Sequence, residues 1–348
     1  MRLTRLILAA TIVTVMALVA GCAQPTEVPT EAPAATATTA PPAAPAETFK
    51  VAVVMPSAIN DLAFSQSMYD ALVATQEKMG ADNFEFAYSD GMFVVDDAAA
   101  AIRDYASQGY DLVIAHGSQY GSSLVEIAPD FPDTSFAWGT TVDTFTDQGI
   151  DNVFAYEARS EEGGYVLGVV AASLSQSDVL GVIGPIETGD AKLYVDGFKA
   201  GVLATQPGAQ VNVNWTGSFS DVALASEAAQ THIDAGADAL TGSAQMVVGA
   251  VGVAEENDVL WFGTQADQTS LAPNVVVASQ VYDWTVVLDQ LIELIHGGTR
   301  GGQAFALDLA NGGLIVQYNP GFSVGDDVKA LADETVQGIV DGTITVLE

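Results

Sequence analysis

The chain has 348 residues, of which 44 are acidic and ten are basic, and its formal net charge at pH 7 is −34. A surface with this charge repels polyanions, and no basic cluster is present to displace the counterions of nucleic acid, so we expect no nucleic-acid partner. Cys22 is the single cysteine, so the folded part has no internal disulfide and depends on a hydrophobic core. The length is sufficient for two domains.

The first 21 residues have the pattern of a secretory signal peptide. Arg2 and Arg5 precede an uncharged apolar segment, and the small residues Ala20 and Gly21 stand directly before Cys22. The run Leu18–Cys22 resembles a bacterial lipobox, which implies removal of residues 1–21 and acylation of Cys22. A membrane-spanning anchor is the alternative, but the apolar run of roughly 15 residues is shorter than the ~20 that a span needs. We expect a protein anchored by lipid on the extracytoplasmic face of the cell membrane.

Residues 22–48 comprise the predicted lipidation site, Cys22, and a following segment dominated by Ala, Pro and Thr. This composition offers too few apolar side chains to build a core, and its prolines favour extended stretches. We predict a disordered spacer between the membrane and the folded domains.

From residue 49 onward, strands and helices alternate. The predicted strands are 50–55, 84–88, 111–115, 135–138, 179–183, 211–215, 239–240, 259–262, 275–280, 305–309, 314–318 and 344–347. The predicted helices are 65–79, 96–108, 161–175, 193–205, 223–235, 247–257, 283–296 and about 326–340. Strands rich in Val, Ile and Leu that alternate with helices indicate an α/β fold with parallel sheets covered on both faces. The number of units favours two lobes.

The candidate ligand residues follow the predicted strands, because ligands bind beyond the carboxyl ends of parallel strands. After the first strand come Asn60, Asp61 and Phe64, although capping and stapling of the next helix explains the same residues. Later strand ends add His116, Gly117, Ser118, Trp138, Gly242 and Ser243. Lobe packing is the alternative for Trp138. His116 is expected to form hydrogen bonds rather than bind a metal.

Six segments, in one order along the chain, resemble the basic membrane protein (BMP) family of ABC-transporter substrate-binding lipoproteins. In the first loop, four residues match the family pattern G-x-x-D-x-S-F-N-Q-S-A, namely Asp61, Phe64, Gln66 and Ser67, and two depart from it, Ala63 and Ser65. The other matching segments are 109–114 (GYDLVI), 128–136 (APDFPDTSF), 181–184 with 196–201 (DGFKAG), 216–221 (TGSFSD) and 263–268 (GTQADQ).

The resemblance implies a type I periplasmic-binding-protein fold, in which two Rossmann-like lobes with parallel sheets are joined by a hinge. The lobes are expected at 49–158 plus about 281–311, and at 159–280 plus about 312–348. The ligand of family members is often a purine nucleoside, whose base lies between aromatic rings of the two lobes. Phe64 falls at the first ring position and Tyr194 at the second, with core packing as the alternative for Tyr194.

The chain departs from the ribose-binding members at two positions. Gln265 stands where they have an Asp, and Tyr282 stands where they have a Lys. Since Gln is a weaker acceptor for vicinal hydroxyls than a carboxylate, we interpret the loss of both charges as a shift towards a free nucleobase or another compact heterocycle. Asp267 remains available to base nitrogens or ribose, and a loop cap is its alternative role.

No catalytic motif is found. The sequence lacks G-x-S-x-G, a Walker lysine motif and a group of His, Cys and Asp at ligand spacing, so we expect no enzyme, cofactor or metal site. The prediction is a monomeric substrate-binding lipoprotein of an ABC importer that delivers a purine nucleoside or nucleobase to its permease subunits. A ribose-type sugar binder, or a ligand-sensing lipoprotein for a signalling receptor, is the alternative.

Overall fold

Two sheets with helices on their faces make up the computed structural model, which describes residues 48–347. The predicted signal peptide, Cys22 and nearly all of the predicted spacer lie outside the described residues. The strands are β1 (Phe49–Val54), β2 (Phe84–Ser89), β3 (Leu112–His116), β4 (Ser135–Gly139), β5 (Val153–Ala158), β6 (Val179–Gly184), β7 (Gln210–Trp215), β8 (Ala239–Gly242), β9 (Leu260–Gln265), β10 (Val276–Tyr282), β11 (Ala304–Leu307) and β12 (Leu314–Tyr318).

The helices lie between these strands and at the end of the chain. They are α1 (Phe64–Met79), α2 (Val95–Ser107), α3 (Gly121–Ile127), α4 (Ser160–Leu174), α5 (Gly189–Thr205), α6 (Val222–Asp234), α7 (Val247–Glu256), α8 (Thr285–His296) and α9 (Asp326–Val340). Within residues 48–347, none of them combines the length and apolar character that crossing a membrane requires.

Each sheet has six strands. The first has the order β11-β5-β4-β3-β1-β2 and the second the order β12-β10-β9-β8-β6-β7. All pairs are parallel except β10 and β12, which run antiparallel at one edge. The inner strands are buried along nearly their whole length, as expected for parallel strands covered on both faces. The predicted α/β class is confirmed.

The chain passes between the two sheets three times. It leaves the first sheet after β5 and enters α4, returns after β10 through α8, and crosses again between β11 and β12. Val287 and Leu288 of α8 are buried in the core of the first sheet, whereas Val166 and Leu167 of α4 are buried in that of the second. Three short crossings of this kind are the usual construction of a hinge.

The structure differs from the prediction in three features. The sequence analysis missed β5, which lies between β4 and β11, and the short helix α3. The predicted strand at 344–347 is wrong. There the backbone N–H groups of Thr343 and Ile344 both donate to the carbonyl of Gly338, so the tail folds back on the end of α9 instead of joining a sheet edge.

Helices α4 and α5 approach each other through glycines. A Cβ atom on Gly197 would collide with the carbonyl oxygen of Glu161, and one on Gly201 would collide with that of Tyr165. A Cβ on Gly168 would collide with the carbonyl of Phe198. This close packing fixes α5 on α4, and it holds the first turn of α5 at the edge where the two sheets meet.

Candidate ligand-binding site

A cavity of about 270 Å³ lies between the carboxyl ends of the two sheets. From the first sheet it is lined by residues at or after the ends of β1, β3 and β4, together with the start of α1. From the second sheet it is lined by residues at or after the ends of β6, β7, β8 and β9. This is the position at which open α/β sheets bind ligands.

Six of the residues predicted from the sequence line this cavity, and seven do not. Those that line it are Phe64, Gly117, Ser118, Trp138, Ser243 and Gln265. Those that do not are Asn60, Asp61, His116, Tyr194, Gly242, Asp267 and Tyr282.

Phe64 lines the cavity and rests on a buried histidine. Its ring stacks on the His116 imidazole with 3.8 Å between ring centres and 6° between planes. Nε2 of His116 donates to the Phe64 carbonyl at 3.1 Å, and the Tyr156 hydroxyl donates to Nδ1 at 2.7 Å. Complete burial lowers the pKa of His116 to about 3, so the imidazole is neutral. His116 therefore supports the ring from behind and holds it in place.

Asp61 caps helix α1. Its carboxylate accepts hydrogen bonds from the backbone N–H groups of Ala63, Ser65 and Gln66 at 2.9, 3.2 and 3.1 Å. Burial raises the pKa of Asp61, and these bonds, with one from the Ser57 hydroxyl, act in the opposite direction. Its acceptor capacity is used within the loop. The neighbouring Asn60 is exposed.

Tyr194 is a core residue in the structure, not an aromatic wall of the cavity. Its side chain is fully buried among the apolar residues of the second sheet, and its hydroxyl lies 2.6 Å from that of Thr241. The aromatic ring that lines the cavity from the second sheet is Phe219, in the loop between β7 and α6. The sequence carried a signal for it, since Phe219 lies in the TGSFSD segment that matches the family pattern.

Three other predicted residues have structural neighbours elsewhere. Asp267 accepts from the Thr269 backbone N–H at 2.9 Å and from Gln317 Nε2 at 2.8 Å, which is the loop-cap alternative. It faces a second cavity of about 340 Å³ beside α1, as does the buried Tyr282. Gly242 ends β8, where a Cβ atom would lie 2.8 Å from the carbonyl oxygen of Ile183.

The sequence analysis also missed Asp190, in the first turn of α5. Asp190 lines the cavity although only 8% of it is exposed. Burial raises the pKa of its carboxyl to about 7, the nearby Glu157 and Glu161 act in the same direction, and hydrogen bonds from its own backbone N–H and from Thr140 act against it. Since α5 was predicted to begin at residue 193, Asp190 was assigned to a connecting loop. The available signal was an acidic residue in the segment between a predicted strand and a predicted helix.

The polar lining of the cavity includes one acidic or basic side chain. Among the described residues, no Lys, Arg or His lines it, and Asp190 is its one acidic side chain. Nor does the described part contain a group of three or more His, Cys, Asp or Glu side chains arranged to hold a metal ion. The arrangement suits an uncharged solute with flat apolar surfaces and a few hydrogen-bonding groups.

The family model for ABC transporter substrate-binding proteins of the PnrA-like Bmp type matches residues 48–345. The chain belongs to the Bmp family. The resemblance seen in the sequence is thereby confirmed, and with it a role as the substrate-binding protein of an ABC transporter rather than an enzyme. Such a protein takes up a small solute outside the cytoplasm and passes it to permease subunits.

Curated relatives and solved structures agree with this assignment. The Bmp chain is 29% identical to a purine-binding protein of Brucella abortus over 263 residues, which cover 76% of this chain and 73% of the relative. It is 25% identical to the ABC transporter nucleoside-binding protein BmpA of Lactococcus lactis over 314 residues, or 83% and 86% of the two chains. An ABC transporter solute-binding protein of Conexibacter woesei superposes with a TM-score of 0.70 at 25% identity, covering 86% of this chain and all of its own.

Proposed function

We propose that this protein binds a purine nucleobase or nucleoside in the cavity between its two sheets and delivers it to an ABC permease. The observation that carries the proposal is that each sheet contributes an aromatic ring to the same cavity: Phe64 from the first sheet and Phe219 from the second. Phe93 and Trp138 add two more aromatic side chains, and the indole N–H of Trp138 donates to the carbonyl of Gly117 at 3.1 Å.

Aromatic rings favour a flat ligand over a saturated one. Stacking of a base on an aromatic side chain contributes about 1–3 kcal/mol and accepts any flat ring. A ring whose orientation is already fixed loses little entropy when the ligand arrives, and the stack of Phe64 on His116 provides such an orientation. Sugars would gain less from the aromatic rings, because a saturated ring has no π face with which to stack on them.

The polar residues favour a ligand whose binding depends little, or not at all, on contacts with a ribose ring. Gln265 lines the cavity in place of a carboxylate, and Tyr282, which replaces a lysine, is buried outside it. The names of the Brucella and Lactococcus relatives, purine-binding and nucleoside-binding, also favour this class of ligand.

A thermal-shift panel tests the proposal. The purified protein is melted with nucleobases, nucleosides, pentoses and hexoses at matched concentrations, because a ligand that binds only the folded state raises the melting temperature. We expect purines and purine nucleosides to raise it and sugars to leave it unchanged. A rise with ribose or glucose, and none with any purine, would show a sugar binder.

We also propose that residues 1–21 are a signal peptide and that acylated Cys22, followed by the spacer, tethers a monomeric two-lobed receptor beside its permease. The test is cell fractionation with labelled palmitate in a lipoprotein-processing bacterium. The unchanged chain should carry label and sediment with membranes. Cys22→Ser should lose the label, and a labelled Cys22→Ser protein would contradict acylation at this residue.

A further inference from the structure

Asp190 introduces a charge into an otherwise uncharged binding cavity. It lies in the first turn of α5, more than nine-tenths buried, and it lines the cavity together with Phe219. The fold holds it there through the glycine contacts between α4 and α5, and the Ser160 hydroxyl donates to its backbone carbonyl at 2.7 Å. Asp190 is therefore a fixed part of the wall that a ligand in the cavity would contact.

Two glutamines of the same wall have polar atoms without a partner in the protein. Nε2 of Gln245 and Oε1 of Gln265 are both buried, and neither has a hydrogen-bond partner there. Buried polar atoms are normally paired, and an unpaired one is unfavourable. The residues that line the cavity from the second sheet therefore include one unpaired donor, one unpaired acceptor and the carboxyl of Asp190.

We propose that Asp190 determines specificity by selecting purines with an N–H group next to a ring carbonyl, the 6-oxopurines, over 6-aminopurines, and that it excludes phosphorylated forms. The inference rests on the proposed function and names the ligand within it. Guanine and its nucleoside fit the wall best, followed by hypoxanthine.

The chemistry follows from the edges of the two purine types. Above its pKa of about 7 the Asp190 carboxyl is ionised and only accepts hydrogen bonds, and charge-assisted bidentate pairs are the strongest. Guanine presents N1–H and the 2-amino group side by side, so both oxygens of Asp190 can accept, while its O6 accepts from Nε2 of Gln245. Adenine presents N1, an acceptor, next to its amino group, which sets a lone pair against one oxygen of the carboxylate.

Electrostatic repulsion should exclude phosphorylated purines from the cavity. The cavity offers no cationic side chain among the described residues to pair with a phosphate, and Asp190 lies in a buried setting where repulsion between like charges is poorly screened. The net charge of −34 opposes the approach of an anion as well. Nucleotides should therefore bind far more weakly than nucleosides.

The test is calorimetric titration, at about pH 8 where the Asp190 carboxyl is ionised, of the wild-type protein and Asp190→Asn with guanine, adenine, guanosine and guanosine monophosphate. Asn both donates and accepts, and it pairs well with the amino group and ring nitrogen of adenine. Wild type should prefer guanine to adenine by about tenfold or more, and Asp190→Asn should equalise or reverse that preference. The nucleotide should not bind the wild type at concentrations that saturate it with guanosine.

Two further variants separate specificity from folding. Asp196→Asn removes the same charge from the same helix at a partly exposed position, where it pairs with Lys192 outside the cavity, and it should leave the guanine preference unchanged. Asp190→Ser should lose affinity for guanine without gaining affinity for adenine. Melting temperatures of all variants establish that each is folded at the titration temperature.

The outcomes distinguish the two proposals. If the wild type binds purines but its guanine-to-adenine ratio is unchanged in Asp190→Asn, the inference is overturned and the proposed function stands. If the wild type prefers adenine, the inference is likewise overturned. If no purine binds, the proposed function falls and the inference falls with it.

Discussion

Phe64 has one face towards the cavity and the other on the His116 imidazole, which is neutral, fully buried and held by two hydrogen bonds. The histidine that the sequence offered as a ligand residue instead fixes the ring that the ligand meets. A strand-end position marks both residues as candidates, but it does not say which of them faces the cavity.

Removing the Phe64 ring should weaken binding by the amount that stacking contributes. For Phe64→Ala we expect a loss of about 1–3 kcal/mol in purine affinity, measured by calorimetric titration. Phe64→Tyr keeps the ring and should bind nearly as well as the wild type. Equal affinity of wild type and Phe64→Ala would remove this residue from the site.

Asp190 should make stability depend on pH. Its pKa is raised to about 7 by burial, with Glu157 and Glu161 acting in the same direction. The charge of Asp190 in turn helps to raise the pKa of the Tyr156 and Tyr282 hydroxyls. The folded state therefore keeps a proton that the unfolded state has lost. This contribution is complete below the unfolded pKa and disappears as pH rises through about 7.

The Asp190→Asn variant has no ionisable group at this position, so its free energy of unfolding should not decrease in this way as the pH rises. Its melting temperature relative to the wild type should rise between pH 4 and pH 8, with a gain in unfolding free energy of up to about 4 kcal/mol. Asp196→Asn serves as the control and should show no such trend. A constant difference between Asp190→Asn and wild type across this range would contradict the raised pKa.

The sequence does not show which aromatic residue of the second sheet lines the cavity. Tyr194 and Phe219 both follow a strand of the second sheet and both lie in segments that match the family. Only the orientation of α5 decides that Tyr194 points to Thr241 in the core, and that orientation depends on contacts with α4, far away in sequence. Asp190 was missed for a related reason, because where a helix begins is set by local geometry that apolar periodicity does not reveal.

At the scale of elements, the glycines of α4 and α5 explain one of the motifs in the sequence. Gly197 and Gly201 belong to the DGFKAG segment, and both lie where the backbone of α4 comes closest. Their spacing of four residues puts them on one face of α5. The motif is therefore a packing device that positions the first turn of α5, including Asp190, at the cavity.

A methyl group in this contact should be destabilising. Gly201→Ala would force the Cβ atom against the carbonyl of Tyr165, so the helices must separate, and we expect a loss of about 1–3 kcal/mol in chemical unfolding. Gly252→Ala is the matched control. Gly252 lies exposed in α7 with open space around it, so alanine should stabilise that helix by about 1 kcal/mol. Equal effects of the two substitutions would contradict the close contact.

Most helices and strands followed from apolar patterning alone, because buried parallel strands are short runs of Val, Ile and Leu between helical segments. The strand β5 did not, since its sequence VFAYEA mixes in alanine, tyrosine and a glutamate. The tail at 344–347 has the composition of a strand, yet Thr343 and Ile344 are bonded to the end of α9. In both cases, tertiary contacts rather than the local sequence pattern determine the structure.

At the scale of the whole molecule, two sheets are joined by three crossings, and both contribute residues to the cavity that Phe64 and Phe219 line. The fold class and the family could be predicted from the sequence because six motifs retain their order along the chain. The identity of the ligand could not, since it depends on which side chains of two separate sheets face the same cavity. The function proposed for this protein depends on whether a purine occupies this cavity.

Calorimetric titration with guanosine and with ribose tests that claim most directly. We predict that guanosine binds at a stoichiometry of one per chain, in the micromolar range or tighter, and that ribose produces no binding heat at the same concentrations. Binding of ribose together with no detectable binding of guanosine, guanine or adenine would contradict it.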